Sequence, residues 1–298
     1  MNDLLTIGID LGGTSIKGVL INSEGQILKN RATDTLDGHS GTGKFWKENI
    51  FNMVQSFRKE YGEKIQRSGL AAPGLASADN RSIAFMPQRL QGLENFDLGE
   101  FLELETYALN DAHAHLIAEA RFGAGIGYKN IVLITLGTGV GGAIMIDGEL
   151  YQGEIGRAGH LGHLSINQSE VKGITGTPGS LENAIGDCTI KERTEGQYNS
   201  TRELVRDFNL GNDFASQVWL KSLESLARGI VSLINILSPQ LIILGGGITE
   251  AREALMNPLK NYIDEYEWCP GGHKTEIKFA SKGIYAGALG AAIFAMTH

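Results

Sequence analysis

The chain has 298 residues, of which 42% are hydrophobic and 20% charged, and its formal net charge is −8, so it is long enough for two domains with buried cores. The acidic balance, without any basic block, excludes a nucleic-acid footprint, which needs clustered Lys and Arg. No signal segment stands at the start and no apolar run reaches the roughly 18 residues of a membrane span, so a cytoplasmic protein with no nucleic-acid or membrane partner is expected. Cys188 and Cys269 show neither metal spacing nor a framework of several pairs and read as reduced thiols. The 40 glycines cluster at turns between apolar runs, where the backbone bends tightly or meets a ligand.

In chain order, Leu4 to Asp10 is an apolar run turned by Gly12 and Gly13, Ile16 to Asn22 is a second, and Gly25 turns again before Ile27. Phe45 to Tyr61 has helical spacing. Ser68 to Ala72 reads as a strand ending at Pro73-Gly74, and Thr106 to Leu109 as one ending at Asn110-Asp111; both ends are candidate site loops. Asp111 also stands at an N-cap position for a helix over Ala112 to Phe122 that Gly123 ends. About 127 residues after the first run the plan recurs: Ile131 to Leu136 is apolar, Gly137 to Gly142 turns, Ala143 to Ile146 is apolar, and Asp147-Gly148 turns. This is an internal duplication, and it predicts two related α/β domains whose glycine turns face one cleft. Asp213 to Leu237 follows as a long buried helix, then the strand Leu241 to Leu244, the glycines Gly245, Gly246 and Gly247, and a small, apolar terminal helix over Ala286 to Met296.

Two nucleotide signatures nearly match and fail. Gly38 to Phe45 imitates a Walker A loop, but Phe45 stands where Ser or Thr must hold Mg²⁺ and no apolar strand precedes it, so it reads as a surface loop. Gly137, Gly139 and Gly142 have dinucleotide-fingerprint spacing, yet the strand-like AIMIDG follows where a helix is required. The segments GIDLGGT (Gly8 to Thr14) and TLGTGVGG (Thr135 to Gly142) are better read as paired hairpin turns whose N–H groups converge on phosphate oxygens. Asp10, at the end of its strand, suits Mg²⁺ directly or through water, or else stabilises the turn.

The ordered set DLGGT, AAPG, LNDA, LGTGVGG, AGHLGH, GSLE and GGG resembles the ROK family of repressors and sugar kinases over nearly the whole chain. The resemblance implies an α/β, two-domain actin-like ATPase (RNase H-like) fold with mixed sheets and an inter-domain cleft that closes over sugar and ATP. The domains are expected at 1–111 plus 285–298, the smaller, and 112–284, the larger. By the resemblance, Asp10, Gly12, Gly13, Thr14, Gly137, Thr138 and Gly139 hold ATP phosphates and Mg²⁺, and Gly245, Gly246 and Gly247 contact the adenosine. Asn110 binds sugar hydroxyls and Asp111 removes the proton from the attacking one, a role suited to a carboxylate because a hydroxyl is a poor nucleophile until deprotonated. Gly74, His160, His163 and Glu182 complete the sugar set. The implied activity is phosphorylation of a hexose, glucose by default, by in-line transfer from ATP, and the family suggests a homodimer.

The chain departs from its relatives at three places. Where the family has Glu-x-Gly-His, this chain has His160-Leu161-Gly162-His163, so an imidazole replaces a carboxylate. Where the family binds structural zinc with Cys-x-Cys-Gly-x-x-Gly-Cys, this chain has Gly173 to Ser180 without a thiolate, which predicts no zinc and a loop held by hydrogen bonds and Pro178. Where a sugar-binding asparagine is common, the chain reads Met86-Pro87-Gln88-Arg89-Leu90, and Gln88 or Arg89 takes that place. Two alternatives to the ATP-dependent kinase follow. One is a non-catalytic sugar sensor, although the short segment before Asp10 leaves no room for the repressors' DNA-binding part. The other is a kinase using polyphosphate, which would carry a basic groove near the phosphate turns.

Overall fold

Runs of β-branched and aliphatic residues make the first hairpin: β1 (Leu5–Leu11) and β2 (Ser15–Ile21) pair antiparallel around the Gly12–Thr14 turn, and β3 (Ile27–Asp34) pairs antiparallel with β2. The computed structural model describes residues 4–37, 43–86 and 89–298. Of the Walker-like segment, residues 38–42 lie outside the described residues, as does Gln88; Lys44 and Phe45 already belong to helix α1 (Lys44–Tyr61). That helix buries Trp46, Ile50, Met53, Val54 and Phe57 at helical spacing. Then β4 (Ile65–Ala72) pairs parallel with β1, the short β5 (Leu75–Ala76) and β6 (Ile83–Phe85) form a small hairpin, and α2 (Leu98–Leu102) leads into β7 (Glu105–Asn110), parallel to β4. The strand order is β3-β2-β1-β4-β7.

After α3 (Asp111–Phe122) the plan repeats. β8 (Ile131–Leu136) pairs antiparallel with β9 (Val140–Ile146), β10 (Glu149–Leu150) flanks it, and β11 (Leu241–Gly245) and β12 (Glu276–Phe279) extend the other side in parallel, in the order β10-β9-β8-β11-β12. Each sheet therefore has a hairpin at its centre and two parallel strands beyond it, as the internal duplication requires. β9 begins at Val140, earlier than the apolar run alone suggests, because Val140, Gly141 and Gly142 pair with Leu136, Thr135 and Ile134 and leave only residues 137–139 to turn. Between β10 and β11 come α4 (Leu181–Ile185), α5 (Ile190–Arg193), α6 (Thr201–Asn209) and α7 (Asp213–Leu237). The apolar face of α7, including Trp219, Leu223, Leu226 and Ile230, is buried in the core. α8 (Glu253–Tyr266) precedes β12, and α9 (Ala286–Thr297) closes the described chain. Among the described residues no helix is long and apolar enough to cross a membrane.

The chain divides into two units, the first running to Gly127 and taking in Leu150–Ala158 and Ser281–His298, the second Tyr128–Glu149 and Gly159–Ala280. Within the first unit α3 packs on α9: a Cβ at Gly290 would overlap the Ala114 carbonyl oxygen. The same helix lies against β1 and β4 where Gly8 and Gly69 leave no side chain in its way.

A buried carboxylate fastens this join. Glu119 on α3 is fully buried and accepts hydrogen bonds from the N–H groups of Ala124 (2.8 Å), Ser281 (2.8 Å) and Lys282 (2.7 Å) and from the Ser281 hydroxyl (3.1 Å). Burial alone would raise its pKa. The His115 ring 3.7 Å away and the three N–H donors outweigh that and hold it at about 2, from an ordinary 4.5. Because the folded value lies below the unfolded one, this stabilisation is complete above pH 4.5 and is lost as pH falls toward 2. Glu119→Gln is expected to lower unfolding stability by roughly 3 kcal/mol at neutral pH and to flatten its decline between pH 4.5 and 2, as measured by urea unfolding across that range.

Candidate functional site

In the first unit, parallel register ends three strands on one line. Asp10 of β1 pairs with Ala71 of β4, and Ala72 of β4 pairs with Asn110 of β7. Asp10, the Pro73-Gly74 bend and the Asn110-Asp111 pair therefore sit at the carboxyl edge of the sheet, where open α/β sheets place their ligands. Asn110 is buried, and its side chain is engaged: Nδ2 donates to the Gly74 carbonyl at 3.0 Å, while Oδ1 accepts from the N–H groups of Ala112 (2.9 Å) and His113 (3.4 Å). Asn110 is thus the N-cap of α3, which corrects the expectation from sequence that Asp111 takes that position. Asp111 is the first helical residue and is exposed; its Oδ1 accepts from Ala112 N–H at 2.8 Å.

Burial pushes the Asp10 carboxyl up to about 6; Lys17, whose Nζ is 4.0 Å away, and His115 oppose the rise, and the Asp111 carboxylate reinforces it. The first turn of α9 meets the same carboxylate, since a Cβ at Gly287 would come within 2.9 Å of the Asp10 carboxyl carbon. His113, which no motif in the sequence singles out, is fully buried and donates Nε2–H to the Ala158 carbonyl at 2.8 Å, and burial pushes its pKa down. It ties the start of α3 to the residue that opens the AGHLGH motif.

In the second unit the corresponding edge is formed by β8 and β11, with Thr135 opposite Gly245. The turn after β8 closes with Gly137 N–H donating to the Gly139 carbonyl at 3.0 Å, and its outer carbonyls are taken by Asp187 N–H (on Gly137, 3.0 Å) and Cys188 N–H (on Thr138, 2.8 Å). Glu182 lies against this turn. Its Oε2 accepts from Val140 N–H at 2.9 Å and occupies the space a Cβ at Gly139 would need. Gly246, at φ +87°, turns the chain hard against β8, where a Cβ would collide with the Leu136 carbonyl. Gly137, Thr138 and Gly247 share a cavity of about 330 Å³ with Asp187, Thr201 and Glu250, so the second glycine turn and the late glycine cluster open on one pocket. Asp187 Oδ1 accepts from Thr201 N–H at 2.5 Å and sets the start of α6 there.

The two motif histidines belong to a short 3₁₀ turn over Leu161–His163 and its cap, with parallel rings 6.4 Å apart between centroids. Nδ1 of His163 is buried without a hydrogen-bond partner among the described residues. In the loop where thiolates are missing, Gly173 N–H bonds Thr177 O (2.8 Å), Gly176 N–H bonds Gly173 O (2.9 Å), Gly179 N–H bonds Val171 O (3.1 Å) and Ser165 Oγ bonds Pro178 O (2.8 Å). Such a donor set does not fit zinc. Among the described residues no group of three or more His, Cys, Asp or Glu is placed to hold a metal ion.

The profile of the ROK family matches residues 6–298. The chain belongs to the ROK family. A glucokinase of Thermotoga maritima is 31% identical over 290 residues, 89% of each chain. A xylose repressor of Bacillus spizizenii is 27% identical over 312 residues, 98% of this chain and 77% of the repressor. Among solved structures, a ROK hexokinase from Thermus thermophilus superposes with a TM-score of 0.83 at 26% identity over 98% of both chains. The ROK chain described here accordingly has the α/β, two-domain actin-like ATPase fold with mixed sheets.

Of the residues singled out from sequence, Asp10, Gly74, Asn110 and Asp111 share the edge of the first sheet, and Gly137, Thr138 and Gly247 share the pocket of the second. The close contact of Glu182 with a turn 42 residues earlier has no sequence signal. Gly246→Ala must force a side chain into a left-handed backbone position against a carbonyl, and it is expected to cost about 1–3 kcal/mol of stability by chemical denaturation.

Proposed function

We propose that this ROK protein phosphorylates a hexose, glucose by default, with ATP as donor and Asp111 as general base. The observation that carries the reading is the placement of Asp111: exposed, one residue inside a helix whose cap is already supplied by Asn110, at a sheet edge shared with Asp10. The 31% identity to a glucokinase supports it.

Chemically, Ala112 N–H holds Oδ1 of Asp111, which orients the carboxylate and leaves Oδ2 to take the proton of the attacking hydroxyl as its bond to phosphorus forms. Asn110 keeps one amide hydrogen for a sugar oxygen beyond its bond to Gly74. His160, His163 and Glu182 serve as further sugar contacts. In the turns over Gly12–Thr14 and Gly137–Gly139, the N–H groups of Gly12 and Gly137 close the turns and those of Gly13, Thr14, Thr138 and Gly139 serve the phosphates, while the pocket beside Gly247 receives the adenosine, with Gly245 and Gly246 as further contacts. Asp10 fits a Mg²⁺ ligand, being a carboxylate oxygen donor at the strand end beside the first glycine turn, and Mg²⁺ takes one or two carboxylates together with phosphate oxygens. When bound, the ion would neutralise charge developing on the transferred group.

The repressor relative favours one second reading, a sugar sensor without turnover. ADP release with Mg²⁺-ATP, measured across hexoses and N-acyl hexosamines, separates the two. Wild type is expected to turn over one of them, and Asp111→Asn to lose about 10²- to 10⁴-fold in kcat while keeping sugar-dependent thermal stabilisation. Chelation is expected to stop turnover and Mg²⁺ alone, without zinc, to restore it. Sugar-dependent stabilisation of a wild type that releases no ADP would establish the sensor instead.

A further inference from the structure

The first glycine turn is wired so that its carbonyls face inward. The Gly12 carbonyl accepts the Thr35 hydroxyl at 2.5 Å and the Thr14 carbonyl accepts Thr35 N–H at 2.9 Å, with Thr35 itself fully buried. Gly12 N–H donates to Ser15 O at 3.0 Å. Among the described residues none accepts from Gly13 or Thr14 N–H, so the turn offers two adjacent donors.

Arg89 lies against this turn. A Cβ at Gly13 would overlap Nη2 of its guanidinium and come within 3.1 Å of Cζ, so the glycine there makes room for a cation as well as for close approach of a ligand. The base of the arginine is fixed: Leu90 is buried at 1% exposure, its N–H donates to Asp37 Oδ2 at 3.3 Å, and its carbonyl accepts from Leu93 N–H at 3.0 Å. The head is not. Arg89 is exposed and makes no hydrogen bond or ion pair with any described residue, and the carboxylate of the same hairpin, Asp10, has Lys17 as its ion-pair partner. A rigidly based guanidinium, unneutralised and set beside two vacant N–H donors, is suited to phosphate oxygens, which it binds in forked, charge-assisted hydrogen bonds.

We propose that Arg89 is a ligand for the polyphosphate chain of the phosphoryl donor, acting with the N–H groups of Gly13 and Thr14, and is not a sugar contact. The assignment rests on reading this turn as a phosphate cradle. It names the shared chemistry of two donors, the triphosphate of a nucleotide and inorganic polyphosphate, and it departs from the sequence expectation that residue 88 or 89 replaces a sugar-binding asparagine.

The test is isothermal titration of Mg²⁺-tripolyphosphate, Mg²⁺-ATP and the accepted hexose into wild type, Arg89→Gln and Arg89→Lys, with turnover of wild type followed in parallel. Arg89→Gln is expected to weaken tripolyphosphate binding about tenfold or more, Arg89→Lys to recover part of it, and hexose affinity to stay unchanged. Parallel weakening of ATP assigns the arginine to the nucleotide's phosphates; loss confined to tripolyphosphate assigns it to an inorganic chain. Equal binding of both donors by wild type and Arg89→Gln, or a loss confined to hexose, overturns the proposal, and if wild type still turns over, the kinase reading survives that failure. A wild type that binds neither donor overturns both.

Discussion

Parallel pairing of β1, β4 and β7 sets where the chemistry of the first unit stands. The register that puts Asp10 beside Ala71 and Ala72 beside Asn110 ends three strands together, so that a buried carboxylate, a proline-glycine bend and an Asn-Asp pair emerge at one edge although they are far apart in sequence. α9 holds that edge from behind. Its carbonyls fit against Gly8 and Gly69, its first turn meets Asp10, and the approach to it is fixed by Glu119. A residue near the chain's end thereby bears on a carboxylate near its beginning.

The second sheet repeats the construction with different chemistry at its edge. At this edge stand Gly137–Gly139 after β8 and Gly245–Gly247 after β11, with Glu182 against the first of these turns. In the proposed function, backbone amides and a pocket of about 330 Å³ take the nucleotide, while Asp10 takes the cation and Asp111 the hydroxyl proton.

Much of this is legible in the amino-acid sequence. Apolar runs bounded by glycine mark β1, β2 and β8, and the 25-residue apolar periodicity of α7 sets its limits at Asp213 and Leu237. The duplication is visible because a hairpin with a glycine turn leaves a local pattern. What is not visible depends on contacts between distant segments. Asn110 and Asp111 are both good N-cap residues, and only the length of β7 decides that Asn110 takes the cap. The contact of Glu182 with Val140 N–H joins residues 42 apart and leaves no local pattern. Arg89 follows a segment with no periodicity, and its position against Gly13 goes with a contact between distant segments, Leu90 N–H on Asp37. The packing of α3 on α9 is hidden for the same reason, since it joins Ala114 to Gly290.

Movement of a phosphoryl group from ATP to a sugar by this chain is tested most directly by following the group itself. With ATP labelled in the γ-phosphate, a Mg²⁺ buffer and the hexose that best stabilises the protein, the label is expected in an acid-stable sugar phosphate in amounts matching the ADP formed. Label that stays in ATP, or appears only as inorganic phosphate while the sugar is recovered unchanged, would contradict the account.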